Sequence, residues 1–254
     1  MYRNGIPMWS CGGTTTPEPP QEDTPFYLEN ITGSVGTLKI NRDNANAPTF
    51  TLEYSYDNNS WSSVSLSGTG DISICSVWPL SRVYLRASVE RWCGHPDVRR
   101  NIIRFDQDYK IGGRLVSLLY GSDWEGKEQV KNEWSFCYMF GGQTHLIDAG
   151  DLILPEYTNY VDTYNYIFRD CTNLIKAPYL PTLVVPKAGY YFMFSGCRSL
   201  AEIRCNATDV SAAVATTRWL ENVSSTGVFY KNASMNSWSR GVDGIPTGWT
   251  VVDL

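Results

Sequence analysis

Histidine is nearly missing from this 254-residue chain, which has only His95 and His145. Imidazole is the usual general base near neutral pH and a frequent zinc ligand, so acid–base and metal chemistry both start short of donors. The seven cysteines include no Cys-x-x-Cys pair, the spacing that zinc ribbons and redox motifs use. There is no phosphate-cradling glycine loop and no nucleophile elbow, so neither nucleotide nor acyl-transfer chemistry is signalled. No apolar run reaches the roughly 18 residues of a membrane helix, and no membrane insertion is expected. Positive charge is short as well. With 21 Lys and Arg against 26 Asp and Glu, the net charge is −5. A nucleic-acid binder needs a basic footprint, so no nucleic-acid partner is expected. The first eleven residues lack the apolar core of a secretory signal, and Cys11 is poorly placed as a lipoprotein cysteine. The expectation is a protein made in a cytoplasm that leaves it only as part of a larger particle.

What the chain does have is tyrosine (16), tryptophan (9) and glycine (21), a profile of β-rich proteins and binding faces where rigid aromatics give area at low entropy cost. Hydrophobic content of 43% and charge of 19% are globular values, and the length suits one large domain or two smaller ones.

The chain is organised around a repeat. Tyr164-Asn165-Tyr166-Ile167-Phe168-Arg169-Asp170-Cys171-Thr172-Asn173-Leu174 is nearly copied at 190–200, and more weakly at 136–146. With Phe140, Phe168 and Phe194 in register, Leu146, Leu174 and Leu200 each follow six residues later. The phenylalanines are 28 and 26 residues apart, a spacing typical of stacked units that share one core. Cys171 and Cys197 occupy one repeat position, three residues after the phenylalanine. They are expected to pack as a buried ladder rather than form a disulfide or bind metal. Prolines at 178, 181 and 186 disfavour a helix or central strand between the second and third units. One unit cannot bury its own apolar face, so the first should lean on what precedes it and the last should need a cap.

Residues 1–23 divide into an apolar peptide carrying Ile6, Met8 and Trp9, then a glycine- and proline-rich linker. Such a peptide is either a disordered tail or an anchor that docks into a partner. Met8 and Trp9 are costly to leave in water, which favours the anchor. Residues 24–108 alternate in short runs, at 36–40, 49–55, 71–75 and 82–87, separated by turn clusters. They read as a small β-sandwich. Ser55-Tyr56-Asp57-Asn58-Asn59-Ser60-Trp61 is similar to the Asp-box of sialidases, without its glycine and with the tryptophan one residue early, and implies a hairpin turn only. Residues 109–133 read as a connecting segment whose run Leu115–Tyr120 would make one buried strand. The repeats occupy 134–203. The cap, 204–254, is expected to hold a helix over Ala207–Val223, then strands at 227–230 and in 244–252. Arg82, Arg86, Arg91, Arg99, Arg100 and Arg104 lie among carboxylates and read as a solvated surface ahead of an anion site.

Phe-Ser-Gly-Cys-Arg-Ser-Leu at 194–200 and Phe-Arg-Asp-Cys-Thr-Asn-Leu at 168–174 resemble the Met-Phe-x-Gly-Cys-x-Ser-Leu motif of BspA-like leucine-rich repeats. Lys176-Ala177-Pro178-Tyr179-Leu180-Pro181 and the ending Gly244–Val251 look like the same family, as found in Bacteroidales bacteriophages (crAss-like phages) and their hosts. The resemblance covers about 25–254. It implies a mixed β-rich α+β chain, with a β-sandwich followed by a short leucine-rich-repeat-like solenoid and a cap. It also implies display or adhesion, with no catalytic residues and no cofactor. The first unit departs from the motif, with Gly141-Gly142-Gln143 where the others carry cysteine.

The leading expectation is therefore a non-enzymatic virion structural protein: a head fibre or decoration, or a tail-associated adhesin. It would attach to capsid or tail proteins through the N-terminal segment, form a homo-oligomer, and present the repeats to a host-surface glycan or protein. The alternatives are a bacterial cell-surface adhesin and a carbohydrate-binding accessory domain. For enzymatic action, His145 sits in a slot that Asn173 and Ser199 fill in the other units, which reads as a turn position. His95 lies in a loop signature. Asp148, Asp151, Glu156, Asp162 and Asp170 offer carboxylates, but nothing in the pattern selects the pair a glycosidase needs.

Overall fold

The computed structural model describes residues 22–44, 46–93, 100–156, 159–236 and 238–254. Eight strands come first: β1 (Tyr27–Asn30), β2 (Gly36–Arg42), β3 (Phe50–Ser55), β4 (Ser62–Leu66), β5 (Gly70–Val77), β6 (Arg82–Ala87), β7 (Asn101–Phe105) and β8 (Tyr109–Arg114). A four-residue helix, α1 (Ser117–Tyr120), follows, then β9 (Leu146–Ile153), β10 (Glu202–Cys205), β11 (Gly227–Lys231) and β12 (Trp249–Asp253). The chain is β-rich, and its sheets are open. One has six strands in the order β4-β3-β6-β1-β8-β9, and two have three, β5-β2-β7 and β10-β11-β12.

The alternating runs became strands because alternate side chains can be buried on one face. In β2 every second residue is buried, and β6 repeats the pattern. Leu28, Leu38, Ile40, Leu52, Val83, Leu85 and Ile103 from the first two sheets share one core. The hairpin expected between Tyr54 and Trp61 forms, with β3 and β4 paired from Phe50↔Leu66 to Tyr54↔Ser62. Asp57 closes its turn, accepting the backbone N–H groups of Asn59 and Ser60. These bonds hold its carboxyl well below the usual carboxylate range. Arg42 is almost fully buried and donates to the carbonyls of Ala47, Pro48 and Gly68 and to Asn101. It thereby ties Ala47 and Pro48 to β2 and β7.

Two expectations fail between 109 and 133. Residues 109–114 are not a connector but β8, a strand inside the six-stranded sheet between β1 and β9. Leu115–Tyr120 is not a strand; α1 turns there, where Ser117 Oγ takes the Phe26 N–H and donates to the Leu85 carbonyl. The buried hydroxyl satisfies two backbone groups, the Phe26 N–H and the Leu85 carbonyl.

The parallel pairing of β8 with β9, Tyr109↔Leu146 to Arg114↔Ile153, joins the antiparallel region to the repeats. Backbone bonds continue the ladder: Ala149 N–H to Lys176 O, Leu180 N–H to Arg204 O, then β10-β11-β12 in parallel register. No helix among the described residues is long and apolar enough to cross a membrane.

Candidate functional site: the stacked turns and the cleft beside them

The repeats form four stacked rungs of continuous turns, over residues 134–142, 162–170, 188–196 and 214–222. Within each, φ is positive at every fourth residue: Trp134, Tyr138, Gly142; Asp162, Tyr166, Asp170; Ala188, Phe192, Gly196; Val214, Arg218, Asn222, between +51° and +81°. This geometry sends alternate N–H groups in two directions. Met139 N–H bonds to Phe136 O inside the rung, whereas Phe136, Tyr138, Phe140 and Gly142 donate to Thr163, Asn165, Ile167 and Arg169 of the next. The pattern recurs from Tyr166, Phe168 and Asp170 to Tyr191, Met193 and Ser195, and from Tyr190, Phe192, Phe194 and Gly196 to Ala215, Thr217, Trp219 and Glu221. A left-handed residue costs about 1 kcal/mol when it is not glycine, and the inter-rung bonds and burial offset that cost. At Gly196 a side chain would also collide, its Cβ lying 2.2 Å from Asp170 Oδ1.

Side chains stack in columns along the rungs. Phe140, Phe168 and Phe194 stand 5.4 Å apart and nearly parallel, at 5° and 1°. A second column runs Phe136, Tyr164, Tyr190, Trp219 and Trp238 at 5.5–6.4 Å. A third joins the half-buried Tyr138 and Tyr166 to the buried Phe192. Leu146, Leu174 and Leu200 are fully buried, as are Cys171 and Cys197. Each thiol donates to the phenylalanine carbonyl one rung back, Cys171 to Phe140 O and Cys197 to Phe168 O, both at 3.0 Å. Burial pushes the Cys171 thiol up to about 12 and the Cys197 thiol well above its ordinary value. These thiols are packing groups, not nucleophiles. All eight residues that the sequence reading placed in the repeat core are therefore brought together there.

Both ends of the stack are covered. Phe140 packs on Phe26 at 6.0 Å, and Trp92 and Ile103 donate backbone bonds to Ser135 and Met139 of the first rung. At the other end the Asp243 carboxylate accepts the Arg218 N–H, in place of a following rung's carbonyl. The Trp219 indole N–H donates to Gly244 O.

The helix expected over Ala207–Val223 is absent; residues 214–222 are the fourth rung. Its alanines resemble a helical composition, but the backbone carbonyls of Ala213, Ala215, Thr217, Trp219 and Glu221 serve the third rung instead. The missed signal was positional: Leu220 lies 26 residues after Phe194, the same interval as Phe168 to Phe194.

Beside the first rung a cleft of about 640 Å³ opens against the outer face of the β5-β2-β7 sheet. Lys39 and Arg104 stand directly opposite each other on β2 and β7. Asp71 accepts Asn41 Nδ2 at 2.6 Å and Arg104 more distantly at 3.4 Å. Arg100 pairs with Asp43 and lies 4.3 Å above the Tyr138 ring. Asp106 accepts the Thr37 N–H, and Gln143 and His145 complete the rung side. His145, with its Nδ1 2.8 Å from Asp108, is exposed at the edge. The sequence reading did not single out this cleft, because Lys39, Arg104, Tyr138 and Gln143 come from three elements that only folding brings together.

Within the arginine run, Arg82 holds Glu22 and Glu29, Arg86 holds Glu53 and stacks on Trp61, and Arg100 holds Asp43; Arg114, outside the run, holds Asp23. Among the described residues, no three His, Cys, Asp or Glu side chains converge as a metal site. Ile6, Met8, Trp9, the linker up to Gln21, His95 and Arg99 lie outside the described residues. Fold and site together define a β-rich protein whose second half is a stack of hydrogen-bonded turns flanked by a polar cleft. The chain matches no family model, no curated protein and no solved structure.

Proposed function

We propose that this chain is a non-enzymatic structural protein of a bacteriophage virion, a head fibre or decoration or a tail-associated adhesin. In this reading the rungs are a short leucine-rich-repeat-like solenoid of the BspA type, following a β-sandwich. The N-terminal peptide with Ile6, Met8 and Trp9 docks into capsid or tail proteins, and the 12–23 linker holds the folded part away from the particle. Copies assemble around a particle symmetry axis and present the solenoid and its flanking cleft to a host-surface glycan or protein.

The observation that carries the reading is the use made of the repeated residues. Phe140, Phe168, Phe194, Cys171 and Cys197 are fully buried, and both thiols are committed to inter-rung bonds. The repeat is thus spent on a rigid support, which suits display rather than turnover. The test is to delete residues 1–21, which leaves Glu22 and Asp23 paired with Arg82 and Arg114, and to measure incorporation into particles, with melting of the truncated protein as the folding control. The expected result is a truncated chain that melts normally and is lost from particles. Normal incorporation would remove the anchor and this assignment with it.

A further inference from the structure

The cleft between the β5-β2-β7 sheet and the first rung holds three cations and three carboxylates, but two of the cations stand side by side on its floor. Lys39 and Arg104 are directly opposed in the β2–β7 register, so both side chains stand on one face, where like charges repel. Around them the carboxylates are largely engaged. Asp43 holds Arg100, Asp106 takes a backbone N–H, and Asp71 takes Asn41 at 2.6 Å, leaving Arg104 at 3.4 Å. Lys39 takes part in none of the ion pairs formed among the described residues. An anionic group between Lys39 and Arg104 would relieve the repulsion. Three aspartates on the same walls limit it to a single charge, because a dianion would meet too much negative potential. The rest of the wall suits hydroxyls: Asn41, Asp71 and Gln143 keep donors and acceptors beyond the bonds they already make to one another and to the Gly141 carbonyl, while the Arg100 guanidinium covers the Tyr138 ring.

We infer that this cleft binds a sugar residue carrying one carboxylate, within an extended surface polysaccharide. The assignment rests on the display reading above and gives it a ligand class. The carboxylate sits between the ammonium of Lys39 and the guanidinium of Arg104, and the ring hydroxyls bond to Asn41, Asp71 and Gln143.

The test is titration of the full chain with a glucuronic-acid oligosaccharide, a matched glucose oligosaccharide, free glucuronic acid and inorganic phosphate. The acidic oligosaccharide is expected to bind, more weakly as salt rises, and the neutral one not to bind. Lys39→Gln and Arg104→Gln should each weaken binding about tenfold or more, the usual loss when a charge-assisted hydrogen bond is removed. Lys187→Gln, on an exposed lysine outside the cleft, should leave it unchanged. Because Lys39→Gln removes a repulsion, its melting temperature should not fall, so weak binding by that variant is not a folding defect. Equal binding of acidic and neutral oligosaccharides, or unchanged affinity in both variants, overturns the proposal. Phosphate binding as tight as the oligosaccharide marks a general anion site and overturns it too. Binding of free glucuronic acid but not of the oligosaccharide overturns the polysaccharide assignment. No binding of the acidic oligosaccharide by the unaltered chain, with the truncated protein lost from particles, rejects this inference alone, whereas truncated protein that still incorporates rejects the virion reading whether or not the oligosaccharide binds.

Discussion

Replacing Phe168 by alanine should remove much of the stability of this protein. The ring is fully buried, and it is the one member of its column with a phenylalanine on each side, Phe140 and Phe194, both 5.4 Å away. Emptying a buried phenylalanine site costs about 3–5 kcal/mol in lost transfer energy and cavity formation. Losing two aromatic contacts adds about 0.5–1.5 kcal/mol each. The expected loss is about 5 kcal/mol, comparable with the whole stability of a marginal domain, which is about 5–15 kcal/mol. Phe168→Leu keeps most of the volume and should cost about 1.5 kcal/mol. The assay is equilibrium urea unfolding followed by tryptophan fluorescence, where a lower midpoint with an unchanged slope reports stability alone. Tyr166→Ala, in the half-buried column, should cost clearly less than Phe168→Ala. Because each rung touches only its neighbours, Phe168→Ala combined with Phe194→Ala should cost about 1 kcal/mol less than the two separate losses added together. A loss below about 1.5 kcal/mol for Phe168→Ala, or strict additivity of the pair, would refute the shared-column argument.

Two further outcomes test the backbone and the hairpin. Val214 is a β-branched residue at φ +53° whose side chain is 47% exposed, so Val214→Asn should stabilise by about 1 kcal/mol, because asparagine tolerates this conformation. Melting should rise by about 2–4 °C, and an unchanged or lower midpoint would reject left-handed strain at this rung. The Asp57 carboxyl is lowered in the folded state, chiefly by the Ser60 and Asn59 N–H groups. Its stabilisation is therefore present above the unfolded value of about 4 and is lost as pH falls below it. Asp57→Asn should flatten the decline of melting temperature below about pH 4, and an identical acid profile in the variant would count against that bond network.

The sequence made the stack legible because its rungs repeat the same side chains at the same depth. Phe140, Phe168 and Phe194 with Leu146, Leu174 and Leu200 needed only counting to place them in register. The strands β2 and β6 were legible for a related reason, since alternate burial leaves alternate letters. The fourth rung escaped because Thr216, Arg218, Trp219 and Leu220 keep the positions but change the residues. The alanines around them also favour a helix when read locally. Strand β8 escaped because Tyr109-Lys110-Ile111-Gly112-Gly113-Arg114 contains two glycines and little apolar surface. What makes it a strand is pairing on both sides, with β1 and with β9.

By itself, then, the sequence determined the β-rich character, the 28- and 26-residue register, and the burial of the phenylalanine, cysteine and leucine columns. These follow from local periodicity, which any stacked chain must obey. Tertiary structure alone decided that the antiparallel region and the rungs share one ladder through β8 and β9. It also decided that the fourth rung is a turn rather than a helix, and that Lys39, Arg104, Tyr138 and Gln143 face one cleft. Those outcomes depend on which backbone groups find partners across long separations, and a one-dimensional pattern does not carry that information.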